Sequence, residues 1–271
     1  MTTNQPPLTG IKVVDMTGVG MGPWATQMLG DMGADVVKIE IGEGDVFRHA
    51  LPMRHPKMSH AFLNFNRNKR SVLLDAKTDL GREAMLRLVK GADVFVSNVR
   101  PGGLKRLGLD YDSLKALNPR IIYCGCYGYS EQGPYAGRPA IDDTIQAACS
   151  LAWFMGEAQK SEPKFVPTAM ADKVLSLYVS NAITTALFAR ERSGKGQAIE
   201  VPMFESMVAF MMPEHLGGLT FEPPLGPAGY SRMLDPYRKP FRTKDGYMCV
   251  VPYTNAQWRR FFTLAGQPAL A

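Results

Sequence analysis

Cysteine and histidine are scarce in this sequence, and neither is arranged as a metal site requires. The chain has four histidines and four cysteines, which are Cys124, Cys126, Cys149 and Cys249. No CxxC pair and no nearby histidine cluster is present, so the sequence predicts neither a zinc site nor a disulfide framework. Reduced, buried thiols are the preferred interpretation, and they fit a cytoplasmic protein.

The sequence also lacks a long hydrophobic run and a signal peptide. The longest uncharged stretch, residues 174–189, is interrupted by Ser, Asn and Thr. It falls short of the ~20 apolar residues that a membrane span needs. The first ten residues have no basic and apolar signal pattern. We therefore expect no membrane-spanning segment.

Positive charge is in modest excess, with a formal net charge of +6, and residues 67–70 form its one dense basic cluster. The other basic residues are scattered among acids, and no recognised nucleic-acid motif accompanies them. A modest positive field also suits a small polyanion. We favour a small anionic ligand over DNA or RNA.

Predicted strands and helices alternate along most of the chain. β-rich runs occur at residues 11–16, 35–40, 72–74, 93–98, 121–127 and 198–201, and helical patterns occur at 24–32, 78–90, 110–117, 143–155 and 172–190. This alternation predicts an α/β fold with a doubly wound, Rossmann-like parallel sheet. Residues 241–253 predict a hairpin with an Asp-Gly turn, and a short helix follows.

The length of 271 residues predicts one large domain and part of a second, smaller α+β domain. We place the large domain at residues 1–212 and the partial small domain at 231–271. Residues 213–230, rich in Gly and Pro, are interpreted as a linker or an active-site loop. A methionine stripe after residue 202 is interpreted as core packing.

The first strand–turn–helix unit partly matches a nicotinamide-binding fingerprint. Gly18 and Gly20 begin a GxGxxG pattern, and Glu40 stands about twenty residues further on. The position of the third glycine is Pro23, which suits the first residue of a helix better. We therefore expect no NAD site.

Asp172 stands at the start of the helix predicted for residues 172–190. One interpretation is an N-cap, since an aspartate there satisfies free backbone N–H groups and complements the helix dipole. The same surroundings are expected to keep the carboxylate ionised at neutral pH, as a carboxylate nucleophile requires. On these residues alone, both interpretations stay open.

Several motifs together resemble the class III CoA-transferase family, the group of formyl-CoA, carnitine and bile-acid CoA-transferases. They are M-A-D ending at Asp172, A-L-x-A-R-E-R-S-G-K-G-Q before residue 198, L-G-D-M-G-A-D-V-V-K-I-E in the first unit, and N-x-x-P-G-x-x-x-R-x-G beginning at Asn98. By this resemblance Asp172 is the nucleophile. It attacks an acyl-CoA thioester to give a mixed anhydride, and the released thiolate converts this to an aspartyl-CoA thioester.

The resemblance also implies which residues contact coenzyme A, which is bound as the acyl-CoA substrate without metal or NAD. The implied residues are Gly20, Met21, Leu74, Lys77, Asn98, Val99, Arg106 and Arg138, the last near the CoA phosphates. Taken alone, Lys77 and Arg106 would be assigned to solvated helix faces. The match to the family pattern reverses that preference.

Two alternatives remain beside a transferase. Racemases of the same fold carry a histidine just before an aspartate in the loop near Asp142, where this chain has Ile141. The resemblance therefore disfavours racemisation. Relatives in the family continue beyond the point that corresponds to residue 271, so a fragment or an inactive CoA-binding relative is the other alternative. The family implies a homodimer, interlocked where the full C-terminal part is present.

Overall fold

A computed structural model describes residues 5–271. Residues 1–4 lie outside the described part. They belong to the predicted large domain and to the N-terminal segment in which the sequence shows no signal pattern. The strands are β1 Lys12–Met16, β2 Asp35–Glu40, β3 Met53–His55, β4 Met58–Ser59, β5 Lys69–Leu73, β6 Val94–Ser97, β7 Ile122–Tyr127, β8 Gln197–Pro202, β9 Phe241–Arg242 and β10 Tyr247–Met248.

Helices separate most strands of the central sheet, as the sequence predicts. The helices are α1 Met21–Asp31, α2 His60–Phe65, α3 Asp79–Lys90, α4 Pro101–Leu107, α5 Tyr111–Leu117, α6 Asp142–Ala148, α7 Leu151–Gln159, α8 Met170–Ser193, α9 Met203–His215 and α10 Asn255–Leu264. Strands β3 and β4 and helix α2 were not predicted. Short 3-10 turns lie at Val46–His49, Gly217–Thr220 and Pro268–Leu270.

The central sheet is parallel and has the strand order β5-β2-β1-β6-β7-β8. From β1, the strands β2 and β5 are added on one side, and the chain then returns to add β6, β7 and β8 on the other side of β1. This is the order of a doubly wound nucleotide-binding sheet, and its switch point lies between β1 and β6. The predicted α/β fold class is confirmed.

Helices cover both faces of the sheet, which explains why its central strands are apolar on both sides. On one face, α1, α6, α8 and α9 enclose a buried cluster that includes Leu29, Leu175 and Ile183. On the other, α3, α4 and α5 enclose a second cluster that includes Met85, Leu104 and Leu114. The predicted methionine stripe lies in the first cluster as Met203, Met207 and Met211.

Three local predictions need correction. The apolar run at residues 143–155 is two helices, because Ser150 adopts a left-handed backbone conformation with φ of 67° between α6 and α7. Helix α1 begins at Met21, so Pro23 is its third residue and not its first. The predicted hairpin is shorter than expected, since β9 and β10 each have two residues around a turn closed by Thr243 and Gly246.

The C-terminal part packs less tightly than the sheet. Helix α10 has no buried residue, and β9 and β10 are exposed. Helix α9 continues through residue 212 to His215, where the next segment folds back so that the N–H of Gly229 donates to the His215 carbonyl at 2.7 Å. The domain boundaries at 212 and 230 remain predictions.

A buried ion pair joins α8 to the amino edge of the sheet. The guanidinium of Arg190, with a side chain only 3% exposed, lies 2.9 Å from Asp93, which also accepts the N–H of Lys12 at 2.8 Å. The same guanidinium donates to the carbonyl of Arg120 at 3.3 Å. These bonds fix the end of α8 relative to β1 and β6.

We expect Asp93→Asn to lower the free energy of unfolding by about 3 kcal/mol, because it leaves the buried Arg190 with only the more distant and exposed Glu191, at 3.8 Å, as a counter-charge. The exposed pair between Glu83 and Arg87 provides the control, and Glu83→Gln should cost no more than about 0.5 kcal/mol. Urea unfolding followed by circular dichroism measures both. Equal losses for the two variants would contradict this account of the pair.

Candidate active site

A cavity of about 230 Å³ lies at the carboxyl edge of the sheet, at its switch point. The loop after β1 forms one wall with residues 18–21, and the loop after β6 forms another with Asn98, Arg100 and Pro101. The end of β7 and the loop up to Asp142 complete the enclosure. Open α/β sheets bind their ligands in this place.

Asp172 projects into this cavity from the first turn of α8 and is 9% exposed. Its carboxylate lies so close to the backbone of Gly20 that a Cβ added there would overlap the carboxylate oxygen. Only glycine therefore permits this approach. The hydroxyl of Ser176, one turn further along α8, donates to the Met21 carbonyl at 2.6 Å and holds the two elements together.

Asp172 is not the N-cap of α8. The helix begins at Met170 with Ala169 as its N-cap, and no side chain caps it. Asp172 is the third helical residue, and its own N–H donates to Asp142 Oδ1 at 2.9 Å. In the described residues its side chain makes no hydrogen bond to the helix N–H groups, so the capping interpretation is wrong.

The expectation that Asp172 is ionised in full at neutral pH also needs correction. Burial, together with the negative charge of Asp142, raises the pKa of Asp172 to about 7. The other oxygen of Asp142 accepts from Gln146 at 2.5 Å, which fixes the second carboxylate in place. Loss of water and like-charge repulsion outweigh the helix dipole here.

Asn98 holds the glycine loop as well as lining the cavity. Its Oδ1 accepts from the Gly18 N–H at 3.1 Å, and its Nδ2 donates to the Gly18 carbonyl at 2.9 Å. Sequence reasoning assigned Asn98 a contact with CoA alone. The loop contact joins residues that are 80 positions apart in the chain, and no local pattern reveals it.

Two arginines without acidic partners line the cavity. The guanidinium carbon of Arg138 lies 4.7 Å from the centre of the Tyr135 ring. Arg100 immediately precedes the first residue of α4. Within residues 5–271, neither guanidinium has a carboxylate oxygen within the 4.0 Å limit for an ion pair. Free guanidinium groups are suited to phosphate. Arg100 was missed, although its position directly after β6 is a usable signal.

The predicted site residues divide into two groups. Gly20, Met21, Asn98, Arg138 and Asp172 line the cavity. The others lie outside its lining, namely Leu74, Lys77, Val99 and Arg106. These four follow β5 and β6 at the same edge of the sheet, so only a long ligand that leaves the cavity along this edge would reach them. The assignment of all these residues remains a prediction.

The histidines lie away from the cavity. Ile141, the residue before Asp142, lines it and is 65% exposed. His49, His55 and His60 belong to the segment around β3, and His215 stacks on Phe154 at 3.9 Å. Among the described residues, no imidazole faces Asp172 across the cavity. A pair of opposed acid and base groups based on histidine is not formed.

Glu40, the acid of the partial nicotinamide fingerprint, is already engaged. Its oxygens accept from Arg48 at 2.7 and 2.6 Å and from the Asp45 N–H at 2.8 Å. Although burial opposes ionisation, these hydrogen bonds lower the pKa of Glu40 to about 2. The group that would bind a ribose hydroxyl in a dinucleotide site is therefore occupied by the protein itself.

Residues 5–271 contain neither a metal-binding cluster nor a membrane-spanning helix. No group of three or more histidine, cysteine or acidic side chains is placed to hold a metal ion. No helix in this part of the chain combines the length and the apolar character that crossing a membrane requires.

The sequence was compared with known families and proteins. The model of CoA-transferase family III matches residues 8–271. The succinate–glutarate CoA-transferase of Agrobacterium fabrum is 35% identical over all of this chain and 69% of its own length. The human succinyl-CoA:glutarate CoA-transferase is 35% identical over 98% of the chain, which spans only 61% of that relative.

Solved structures agree with the sequence relatives. A CAIB/BAIF family protein from Brucella suis is 36% identical and superposes with a TM-score of 0.86, over 98% of this chain and 71% of its own. The orthorhombic crystal structure of Rv3272 from Mycobacterium tuberculosis is 32% identical, with a TM-score of 0.82 over 98% and 70% of the two chains. The chain belongs to CoA-transferase family III, an enzyme family.

Proposed function

We propose that this chain transfers CoA from an acyl-CoA thioester to a carboxylic acid, with Asp172 as the nucleophile. The observation that carries the proposal is the position of Asp172, a buried carboxyl at the switch-point cavity that makes no hydrogen bond to its own helix. Its pKa of about 7 means that it ionises near neutral pH. A carboxylate that is poorly hydrated reacts more readily than one in bulk water.

The proposed reaction proceeds in two halves. A carboxylate oxygen of Asp172 attacks the thioester carbon, the C–S bond breaks, and CoA thiolate leaves a mixed anhydride behind. The thiolate then attacks the Asp172 carbonyl carbon, which releases the donor acid and leaves an aspartyl-CoA thioester. The acceptor acid reverses both steps. No electron or proton is gained or lost overall, so the proposed chemistry needs no redox cofactor.

Groups around the cavity support these steps. Helix α1 begins at Met21, beside Asp172, and its N-terminus favours the negative charge that develops on the attacked carbonyl oxygen. Arg100 and Arg138 supply positive charge for the phosphates of CoA. The names of the relatives favour dicarboxylic acids as substrates, and succinyl-CoA with glutarate is the first pair to assay.

The proposal includes a homodimer, interlocked if further C-terminal chain is present. Large apolar side chains are exposed on two helices, with exposed fractions of 56% for Leu177 and 65% for Phe188 on α8 and 46% for Phe210 on α9. We propose that a partner covers them in the dimer. A reducing compartment such as the cytoplasm is supported by the unpaired, buried thiols of Cys124 and Cys126.

We expect Asp172→Ala to abolish the exchange of isotope-labelled glutarate into the CoA ester, because both proposed intermediates form on the Asp172 carboxylate. A fall of at least about 1,000-fold is expected for loss of a nucleophile. Asp143→Asn, at an exposed position next to Asp142, is the matched control and should keep the wild-type rate. Exchange by the Asp172→Ala enzyme at the wild-type rate would refute the proposal.

Thermal melting distinguishes CoA binding from CoA transfer. If CoA raises the melting temperature of the wild-type chain while no donor and acceptor pair supports exchange, the chain is an inactive CoA-binding relative. Loss of hydrogen from the α-carbon of an acyl-CoA in deuterated water, without an acceptor acid, would instead indicate a racemase.

The ionisation of Asp172 predicts the pH dependence of exchange. Because the carboxylate is the reactive form, kcat/KM should rise with pH to a plateau with a midpoint near the pKa of about 7. Asp142→Asn removes the neighbouring charge and keeps an oxygen for the Asp172 N–H, so the midpoint should move to lower pH. Asp143→Asn should leave it unchanged. An upward shift in Asp142→Asn would contradict this account.

A further inference from the structure

The loop between β1 and α1 is held through its backbone by side chains from distant parts of the chain. Lys38 Nζ, at the centre of β2, donates to the Thr17 carbonyl at 2.7 Å. Asp45 Oδ1, in the segment after β2, accepts from the Val19 N–H at 3.2 Å. Asn98 binds both polar groups of the intervening Gly18. Three consecutive residues are thereby fixed.

Lys38 and Asp45 also bind each other. Their charged groups lie 2.8 Å apart, and each side chain is 1% exposed. A buried ion pair of this kind contributes little net stability compared with apolar residues of similar size. Since the pair adds little stability, we infer that its role is geometric. It fixes the backbone of the loop from Thr17 to Val19 through the two hydrogen bonds above.

The loop needs such support because it is locally strained. Val19 has a φ of 71°, a left-handed conformation that is costly for a β-branched residue. The next residue, Gly20, is the one whose backbone meets the Asp172 carboxylate. A loop released at Val19 would relax to an ordinary backbone conformation and carry Gly20 away from Asp172.

We propose that Lys38 and Asp45 are positioning residues for CoA transfer: from both ends they hold the backbone of residues 17–19, so that Gly20 covers the Asp172 carboxylate and keeps water from it. The inference rests on the proposed role of Asp172 as nucleophile. Neither residue touches the cavity, and neither appears among the site residues that the sequence indicated.

Charged neighbours define which variants are informative. Fully buried Asp15 lies near Lys38 and binds Lys69 at 2.9 Å, and Glu40 accepts the Asp45 N–H. Asp45→Ala alone leaves the buried Lys38 without its ion-pair partner and can unfold the chain. The double variant Lys38→Met/Asp45→Ala removes both charges together, and with them the oxygen that accepts from the Val19 N–H, so its effect on Asp172 reports hydration rather than a changed net charge. On the other side, Asp142 faces Asp172 in every variant.

The test measures exchange kinetics and amide hydrogen exchange in the Lys38→Met/Asp45→Ala variant. We expect kcat to fall at least about 10-fold, since misplacement of a reacting group by about 1 Å has large effects on rate. The pH midpoint of kcat/KM should move below 7 as water reaches Asp172, and the amides of residues 18–22 should exchange at least about 10-fold faster as the loop opens.

Asp93→Asn is the control, because it breaks the buried pair with Arg190 at the opposite edge of the sheet. It should lower stability without moving the pH midpoint or the loop amides, which separates positioning from general loss of stability. A Lys38→Met/Asp45→Ala variant that folds with wild-type loop amides overturns the proposal whatever the chemistry. A rise in KM alone, with kcat and midpoint unchanged, also overturns it.

These results are distinct from a failure of the proposed function. If the Asp172→Ala enzyme exchanges at the wild-type rate, Asp172 is not the nucleophile. The exchange of the loop amides then still tests whether Lys38 and Asp45 hold the loop. If the Asp172→Ala enzyme is inactive and the double variant is fully active, the positioning role of Lys38 and Asp45 is refuted. The role of Asp172 as nucleophile is then retained.

Discussion

The close approach of the Gly20 backbone to the carboxylate of Asp172 is the contact on which this site depends. It requires a residue without a side chain at position 20, and it brings together the ends of α1 and α8. The strand order places this contact at the switch point of the sheet, where the loops after β1 and β6 separate and leave a cavity. The fold thus places Asp172 where a ligand of the sheet would bind, and the backbone of Gly20 limits the access of water to the Asp172 carboxylate.

Burial of a carboxyl group in this way is costly for the fold and useful for chemistry. The pKa of Asp172 is raised to about 7 by loss of water and by Asp142, so its charged form is unstable relative to an exposed aspartate. The protein offsets this cost elsewhere, through two apolar layers around the sheet. Destabilised groups of this kind are typical of functional sites.

The sequence indicated the fold and the family, because both depend on local patterns. Alternating strands and helices predict the parallel sheet. The motifs around Asp172 and Asn98 together resemble the family, and that resemblance proposes Asp172 as the reactive acid. The errors concern tertiary contacts. The ionisation of Asp172 depends on Gly20 and Asp142, which are distant in the chain, and the double hydrogen bond of Asn98 to Gly18 spans 80 positions. The break at Ser150 depends on a left-handed backbone that no residue pattern marks.

The central claim is that Asp172 carries CoA as a thioester during transfer, and chemical trapping tests it most directly. The wild-type chain is incubated with succinyl-CoA, treated with sodium borohydride, digested and analysed by mass spectrometry. The account predicts that the side chain of Asp172 alone is reduced to an alcohol, and only when the CoA ester is present. Reduction at another acidic residue, or active exchange with Asp172 unmodified, would contradict it.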